Sequence, residues 1–218
     1  GHTWNVNSPA DGHLVAIVAE ATNADVDLAI SAARRAFDSG DFPNWGFAKR
    51  SELVAKIADL MERDLKILAK LESDDTGKRL IEAEYDIADV IACFRHFAKL
   101  GLLQHERKVE IAQSNIDSRV VHEPVGVCTL IGPWNYPLLQ VSWKVAPALV
   151  AGCTFIVKPA ELTPSSAIHL FKLIDEAGVP AGVANLILGK GSVIGDALTS
   201  DPRVDLVSFT GSLAIGKR

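Results

Sequence analysis

The sequence predicts an α/β protein: a doubly wound parallel sheet preceded by amphipathic helices, with short strand segments outside the sheet. Three observations lead there. After Gly101, short apolar runs alternate with helical stretches every 10–15 residues, the pattern of βαβ units and a parallel sheet. Before Gly101, apolar residues recur mostly at helical spacing, as in helices that cover a sheet or one another. The composition, 48% hydrophobic and 22% charged over 218 residues, is that of a globular chain long enough to bury a core. It excludes a disordered tail, a collagen-like fibre and a disulfide miniprotein.

Residues 3–20 alternate loosely around a turn at Ser8-Pro9-Ala10-Asp11-Gly12 and read as a β-hairpin. Thr22 starts a helix as N-cap, with Asp25 three residues on in a variant of the capping box. Val26, Ile30, Ala33 and Phe37 keep its spacing, and Ser39-Gly40 ends it. From 48 to 72 one helical stripe runs through Leu53, Ile57, Leu60, Met61, Leu65 and Leu68. A further helix spans 80 to about 100, with Tyr85, Ala88, Ile91, Ala92 and Phe94 through Phe97 on its face. Two short alternating segments follow, 109–112 and 118–122, joined by a turn around Ser114-Asn115. The sheet then begins with a strand at 125–131, closed by Gly132-Pro133. A helix (138–151), strand (154–158), helix (165–176), strand (184–188), helix (194–199) and strand (204–210) succeed it, and Gly211-Ser212 opens another helix.

Twenty-two basic against 27 acidic residues, net charge −5 and mixed along the chain, argue against a nucleic-acid or anionic-membrane surface as partner. Cys93, Cys128 and Cys153 are too few and too scattered for a disulfide framework or a paired metal-ligand motif, which points to a reducing, cytoplasmic compartment and to no metal. The longest apolar stretch, 145–157, contains Pro147 and Gly152 and falls short of the roughly 20 residues of a membrane span. Gly1-His2 in place of an initial Met reads as a tag remnant or an internal cut.

In a doubly wound sheet, ligands sit beyond the carboxyl ends of the strands. Four such ends stand out: Ile131-Gly132-Pro133-Trp134-Asn135-Tyr136-Pro137, Val157-Lys158-Pro159-Ala160-Glu161, Leu188-Gly189-Lys190-Gly191 and Phe209-Thr210-Gly211-Ser212. They hold what binds a nucleotide: glycines for close backbone approach, a hydroxyl, a cation, a carboxylate and a Trp. Taken singly, each has an ordinary structural reading. Gly189-Lys190-Gly191 with Gly195 lacks the third glycine at dinucleotide-motif spacing and equally reads as a turn. Lys158 with Glu161 reads as a surface ion pair, and Gly211-Ser212 as a turn glycine before an N-cap. Asn135, between two aromatics, calls for a buried partner or a function.

Together, Ile-Gly-Pro-Trp-Asn-Tyr-Pro-Leu (131–138), Ala-Pro-Ala-Leu-Val-Ala-Gly-Cys-Thr (146–154), Val-Lys-Pro-Ala-Glu-Leu-Thr-Pro (157–164) and Ser-Phe-Thr-Gly-Ser (208–212) closely resemble the aldehyde dehydrogenase superfamily in order and spacing. Weaker likeness at Asn7-Ser8-Pro9-Ala10, Ala33-Arg34-Arg35-Ala36-Phe37 and Asp75-Thr76-Gly77-Lys78 extends it over the whole chain. The resemblance implies a Rossmann-like cofactor domain and NAD, or alternatively NADP, as cofactor. Asn135 matches the asparagine whose amide donates to the developing oxyanion, a role worth about 2.7–4 kcal/mol. Lys158 and Glu161, with Pro159 and Ala160 between them, match the pair on the adenosine ribose; a carboxylate there accepts from a 2′-OH and repels a 2′-phosphate, favouring NAD. Gly211 and Ser212 match the pyrophosphate turn after Phe209 and Thr210, Gly191 lies on the same cofactor side, and Ile215 matches the side chain against adenine. Trp134, with the carbonyls of Ile131, Gly132 and Pro133, matches the nicotinamide-ribose side. Tyr136 and Trp143, seven apart on one helix face, resemble the aromatics with which the betaine-aldehyde subgroup holds an ammonium head; core packing is the other reading of that spacing. Lys144 matches that subgroup's proton-relay lysine, with a helix-surface lysine as the alternative.

The resemblance further divides the chain into a hairpin and covering helices (1–105), a β-arm of the oligomerisation type (106–123) and a cofactor domain (124–218). It implies a small aldehyde as substrate and a homo-dimer or homo-tetramer. The family's catalytic thiol and general-base glutamate lie downstream of Arg218, so none of the three cysteines matches the nucleophile and these residues alone are expected to be inactive. The alternative is a truncated, non-catalytic paralogue that binds a dinucleotide or associates with other subunits.

Overall fold

The computed structural model describes residues 1–104, 106–111 and 115–217. Strands β1 (Thr3–Asn7) and β2 (Leu14–Ala19) form the expected antiparallel hairpin. Helix α1 (Asn23–Ser39) starts where expected, with Thr22 and Asp25 closing a capping box. A single 3₁₀ turn (Phe42–Asn44) not foreseen from the sequence leads into α2 (Phe47–Arg63) and α3 (Leu65–Thr76). The one helix expected over 48–72 is therefore two. Its stripe runs on without interruption, but Asp64 leaves helical geometry (φ −99°, ψ 15°) to take Nε2 of His169 at 2.8 Å and Nε of Arg63 at 2.8 Å on its carboxylate. Salt-bridging Arg63 holds the Asp64 carboxyl well below its ordinary value, at about 2.

Helix α4 (Leu80–Leu102) is also rotated from its expected face. Ala83, Ile87, Val90, Ile91, Phe94 and Ala98 are buried, whereas Tyr85, Ala88 and Ala92 are exposed. β3 (Arg107–Val109) and β4 (Ser118–Val120) pair antiparallel as an arm, two residues earlier and two shorter, respectively, than the sequence suggested. Ala112 and the turn residue Ser114 lie outside the described residues, as does Arg218.

The sheet comprises β5 (Val127–Ile131), β6 (Thr154–Lys158), β7 (Ala184–Leu186) and β8 (Leu206–Phe209), all parallel, in the order β7-β6-β5-β8. Every residue of β5 and β6 is buried, as expected of strands covered on both faces. Alternation divides them. Cys128, Leu130, Phe155 and Val157 join α2, α4, α5 (Pro137–Ala151) and α6 (Ser165–Ala177) in the larger core. Val127 and Ile156 pack against α1 and α7 (Gly191–Ser200) on the other face. The strand threonines are satisfied there: Thr154 Oγ1 donates to the Ala33 carbonyl and Thr129 Oγ1 to the Leu198 carbonyl, both at 3.0 Å. The sheet is thus doubly wound, and the helices of 1–105 share its cores. Among the described residues no helix is long and apolar enough to cross a membrane.

Candidate active site

Strands β6, β5 and β8, adjacent in the sheet, end level. Ile131 is registered with Lys158 on one side and with Phe209 on the other. Gly132 N–H donates to the Lys158 carbonyl and Thr210 N–H to the Ile131 carbonyl, each at 3.1 Å. The chain leaves β5 toward β6 but returns to the opposite side of β5 as β8. The loops after β5 and β8 therefore diverge and leave a crevice at the carboxyl edge, the switch point of a doubly wound sheet.

On the β5 wall, Pro137 at the first position of α5 sets where the helix starts. Ile131 and Gly132 are buried and Pro133 is half-buried, but Trp134 (59% exposed), Asn135 and Tyr136 face solvent. Asn135 therefore needs no buried partner. Tyr136 and Trp143 are not core aromatics either: both are about half exposed.

On the β6 wall, Lys158 is only 4% exposed, which corrects its reading as half of a surface ion pair. Its Nζ donates to the Pro159 carbonyl at 3.1 Å and stands 3.6 Å from Glu161 Oε2. Burial pushes the Lys158 ammonium below its ordinary value, with Glu161 opposing. Pro159 is buried, Ala160 is half-buried, and the Glu161 side chain is nearly half exposed; Trp4 Nε1 donates to the Glu161 carbonyl at 3.2 Å and ties this loop to the hairpin. Gly191 opens α7 beside them, where an added Cβ would stand 3.9 Å from Lys158 Nζ.

On the β8 wall, an added Cβ at Gly211 would lie 2.4 Å from the ring of half-buried Phe209, so the close turn requires glycine. Ser212 caps the short α8 (Leu213–Gly216), accepting from Ile215 N–H at 3.4 Å, and the Ile215 side chain is exposed. The turn-glycine and N-cap reading thus holds as well. Lys144, on α5, is no free surface lysine. It donates to Thr210 Oγ1 at 2.8 Å and Ser208 Oγ at 3.2 Å, and burial pushes its ammonium down.

Sequence reasoning missed two features. Trp143 lines a groove of about 520 Å³ between α4 and α5 with Asp89, Cys93, His96, Phe97 and Leu139. Tyr136 is not brought into that groove; its ring lies under Lys78 Nζ, 4.7 Å from the centroid. Asp89 gave no signal because a lone acid on a helix reads as a solvated face. The second is a buried acid cluster under the Asn135 loop. Glu72 (1% exposed) accepts from Leu138 N–H at 3.0 Å and from Ser166 Oγ, and Asp75 accepts from Ser165 N–H at 2.8 Å and Ser165 Oγ at 2.9 Å. These acids satisfy the free N-terminal groups of α5 and α6. Burial raises Glu72 to about 7 and Asp75 to about 6. None of the cysteines lies in the crevice: Cys128 and Cys153 are buried in and beside the strands, and burial pushes the Cys93 thiol up.

Fold and crevice together define a Rossmann-like α/β domain with a polar site at its switch point. Residues 1–218 match the aldehyde dehydrogenase family along their whole length, and the chain belongs to that family. It is 46% identical over 214 residues to a betaine aldehyde dehydrogenase of Bacillus subtilis, covering 98% of this chain and 44% of the relative. Retinal dehydrogenase 2 of Homo sapiens is 42% identical over 219 residues, covering 100% of this chain and 42% of that protein. The crystal structure of a Staphylococcus aureus betaine aldehyde dehydrogenase in complex with NAD+ superposes with a TM-score of 0.96 at 44% identity, over 99% of this chain and 43% of that one. The chain thus spans somewhat under half the length of the relatives it matches.

Proposed function

We propose that the crevice binds NAD and that the chain serves the oxidation of an aldehyde, betaine aldehyde or a related ammonio-aldehyde, to its acid. The observation that carries this reading is the level carboxyl edge, where the buried Lys158 ammonium has one carbonyl within hydrogen-bonding distance and a carboxylate at 3.6 Å. Such a cation has donors left for hydroxyls, Glu161 accepts from a ribose 2′-OH while repelling a 2′-phosphate, and Gly191 leaves the space beside them open. Backbone at Gly211 and Ser212 suits a pyrophosphate, and exposed Ile215 an adenine face. The ring of Trp134 and the carbonyls of Ile131 to Pro133 suit the nicotinamide ribose. A nicotinamide held there would supply the hydride acceptor for the oxidation.

Asn135 then donates its amide N–H to the aldehyde oxygen as negative charge develops. Lys144, with its lowered ammonium and two hydroxyl partners, suits a proton path. Trp143 and Asp89, lining one groove, offer an aromatic face and a carboxylate to a cationic head. With no cysteine in the crevice, the reading assigns the thiol nucleophile and its general base to polypeptide outside these 218 residues. The β3–β4 arm, with Ile111, Ile116 and Val121 exposed, suits strand addition in a homo-dimer or homo-tetramer, and the free cysteines suit a cytoplasmic setting.

The test is calorimetric titration of the chain with NAD and with NADP. Lys158→Met abolishes NAD binding, and Glu161→Gln narrows the preference for NAD by on the order of 1–2 kcal/mol. An unchanged ratio refutes the ribose assignment; equal binding by Lys158→Met refutes the cofactor site.

A further inference from the structure

Lys78 stands where α3, α4 and the β5–α5 loop meet. Gly77, in the left-handed region at φ +73°, ends α3 and turns the chain so that Lys78 points under the β5–α5 loop rather than along the helix. The Lys78 side chain is mostly covered, 13% exposed. Its Nζ stands 2.6 Å from Asp86 Oδ2 on α4 and 3.8 Å from Glu72 Oε2 on α3. From there it donates to the main-chain carbonyl of Asn135 at 3.3 Å and lies over the Tyr136 ring at 4.7 Å. Glu72 in turn accepts from Leu138 N–H, so the loop is gripped on both sides of Pro137.

The Asn135 carbonyl and the Tyr136 N–H belong to one rigid peptide plane. Fixing that carbonyl fixes the ψ of Asn135, and with it the direction in which the Asn135 side chain leaves the backbone. We propose that Lys78, held by Asp86 and Glu72, is the positioning residue that aims the Asn135 amide and the neighbouring Trp134 into the crevice. A catalytic role for that amide rests on the proposed function; the aiming itself does not.

The experiment is a ¹H–¹⁵N spectrum of the chain, read at the Asn135 side-chain NH₂ pair and the Trp134 indole N–H. These signals are assigned by their loss in Asn135→Asp and Trp134→Phe. Lys78→Met shifts or broadens both, leaves the indoles of Trp4 and Trp45 in place, and weakens NADH binding about three- to tenfold, the worth of one hydrogen bond. Lys78→Arg, which keeps a donor and a cation, restores them. Unmoved Asn135 and Trp134 signals in a folded Lys78→Met protein overturn the proposal, as does failure of Lys78→Arg to restore them. If Lys78→Met unfolds the chain, Asp86→Asn must move the same two signals selectively, and their constancy overturns the proposal equally. Wild-type protein that binds no NADH refutes the cofactor reading and leaves the spectral test intact.

Discussion

Glu72 makes stability depend on pH in a direction opposite to that of an ordinary surface carboxylate. Buried at 1% exposure, it titrates at about 7 in the folded chain against an ordinary 4.5. The folded state therefore holds a proton that the unfolded chain has already shed. Its contribution is complete below pH 4.5 and is lost as pH rises through 7. At about 1.4 kcal/mol per pH unit, that gap corresponds to roughly 3 kcal/mol. Asp75, at about 6 against 3.8, acts in the same sense slightly lower. Asp64, near 2, loses its stabilising ionisation only in strong acid and does not enter the window. Glu72→Gln keeps an acceptor for Leu138 N–H but cannot ionise. Urea unfolding followed by tryptophan fluorescence at pH 5.5 and 8 shows wild type losing stability between the two, and Glu72→Gln losing less by about 2 kcal/mol, the part of the gap that lies above pH 5.5. Parallel pH profiles for the two proteins would refute the reasoning, since they would mean that Glu72 titrates alike in both states.

Gly126 sits at φ +133°, and a Cβ there would stand 1.8 Å from Asp205 Oδ2, the atom that accepts from Val127 N–H and from Arg34. Gly126→Ala thus costs about 1–3 kcal/mol, read as a fall in Tm; an unchanged Tm contradicts it. In an aldehyde-oxidising enzyme that includes this chain, Trp143→Ala lowers kcat/KM for betaine aldehyde more than for a neutral aldehyde of similar length, by about 0.5–2 kcal/mol. Equal losses would reduce Trp143 to packing.

The sheet was legible because its strands are short apolar runs closed by Gly or Pro, and their order of alternation with helices leaves few topologies. The walls of the crevice were legible for the same reason, since they are the residues that follow each strand. What escaped was tertiary. The stripe through Leu60, Met61, Leu65 and Leu68 crosses Asp64 without a break, yet the helix ends there, where the Asp64 carboxylate pairs with neighbouring Arg63 and with His169 far along the chain. The face of α4 was misjudged because apolar residues lie nearly all round it, and only packing on α2 and α5 selects Ile87, Val90 and Phe94 over Tyr85. The Glu72, Asp75 and Lys78 cluster has no local signature, because its partners come from α4, α5, α6 and the β5–α5 loop, all later in the chain.

The strand order has a consequence for how the protein comes into being. β5 is the first of the four strands to be made and yet lies inside the sheet, while β8 is the last and joins it from 75 residues or more away, as with Cys128 beside Leu206. During synthesis the β5–β6–β7 layer can assemble with α5 and α6 while one edge of β5 still waits. The crevice has no existence in that intermediate, since one of its walls is the loop after β8. If a dinucleotide binds across the two loops as proposed, it would slow hydrogen exchange at Thr210 N–H more than at the amides joining β5 to β6.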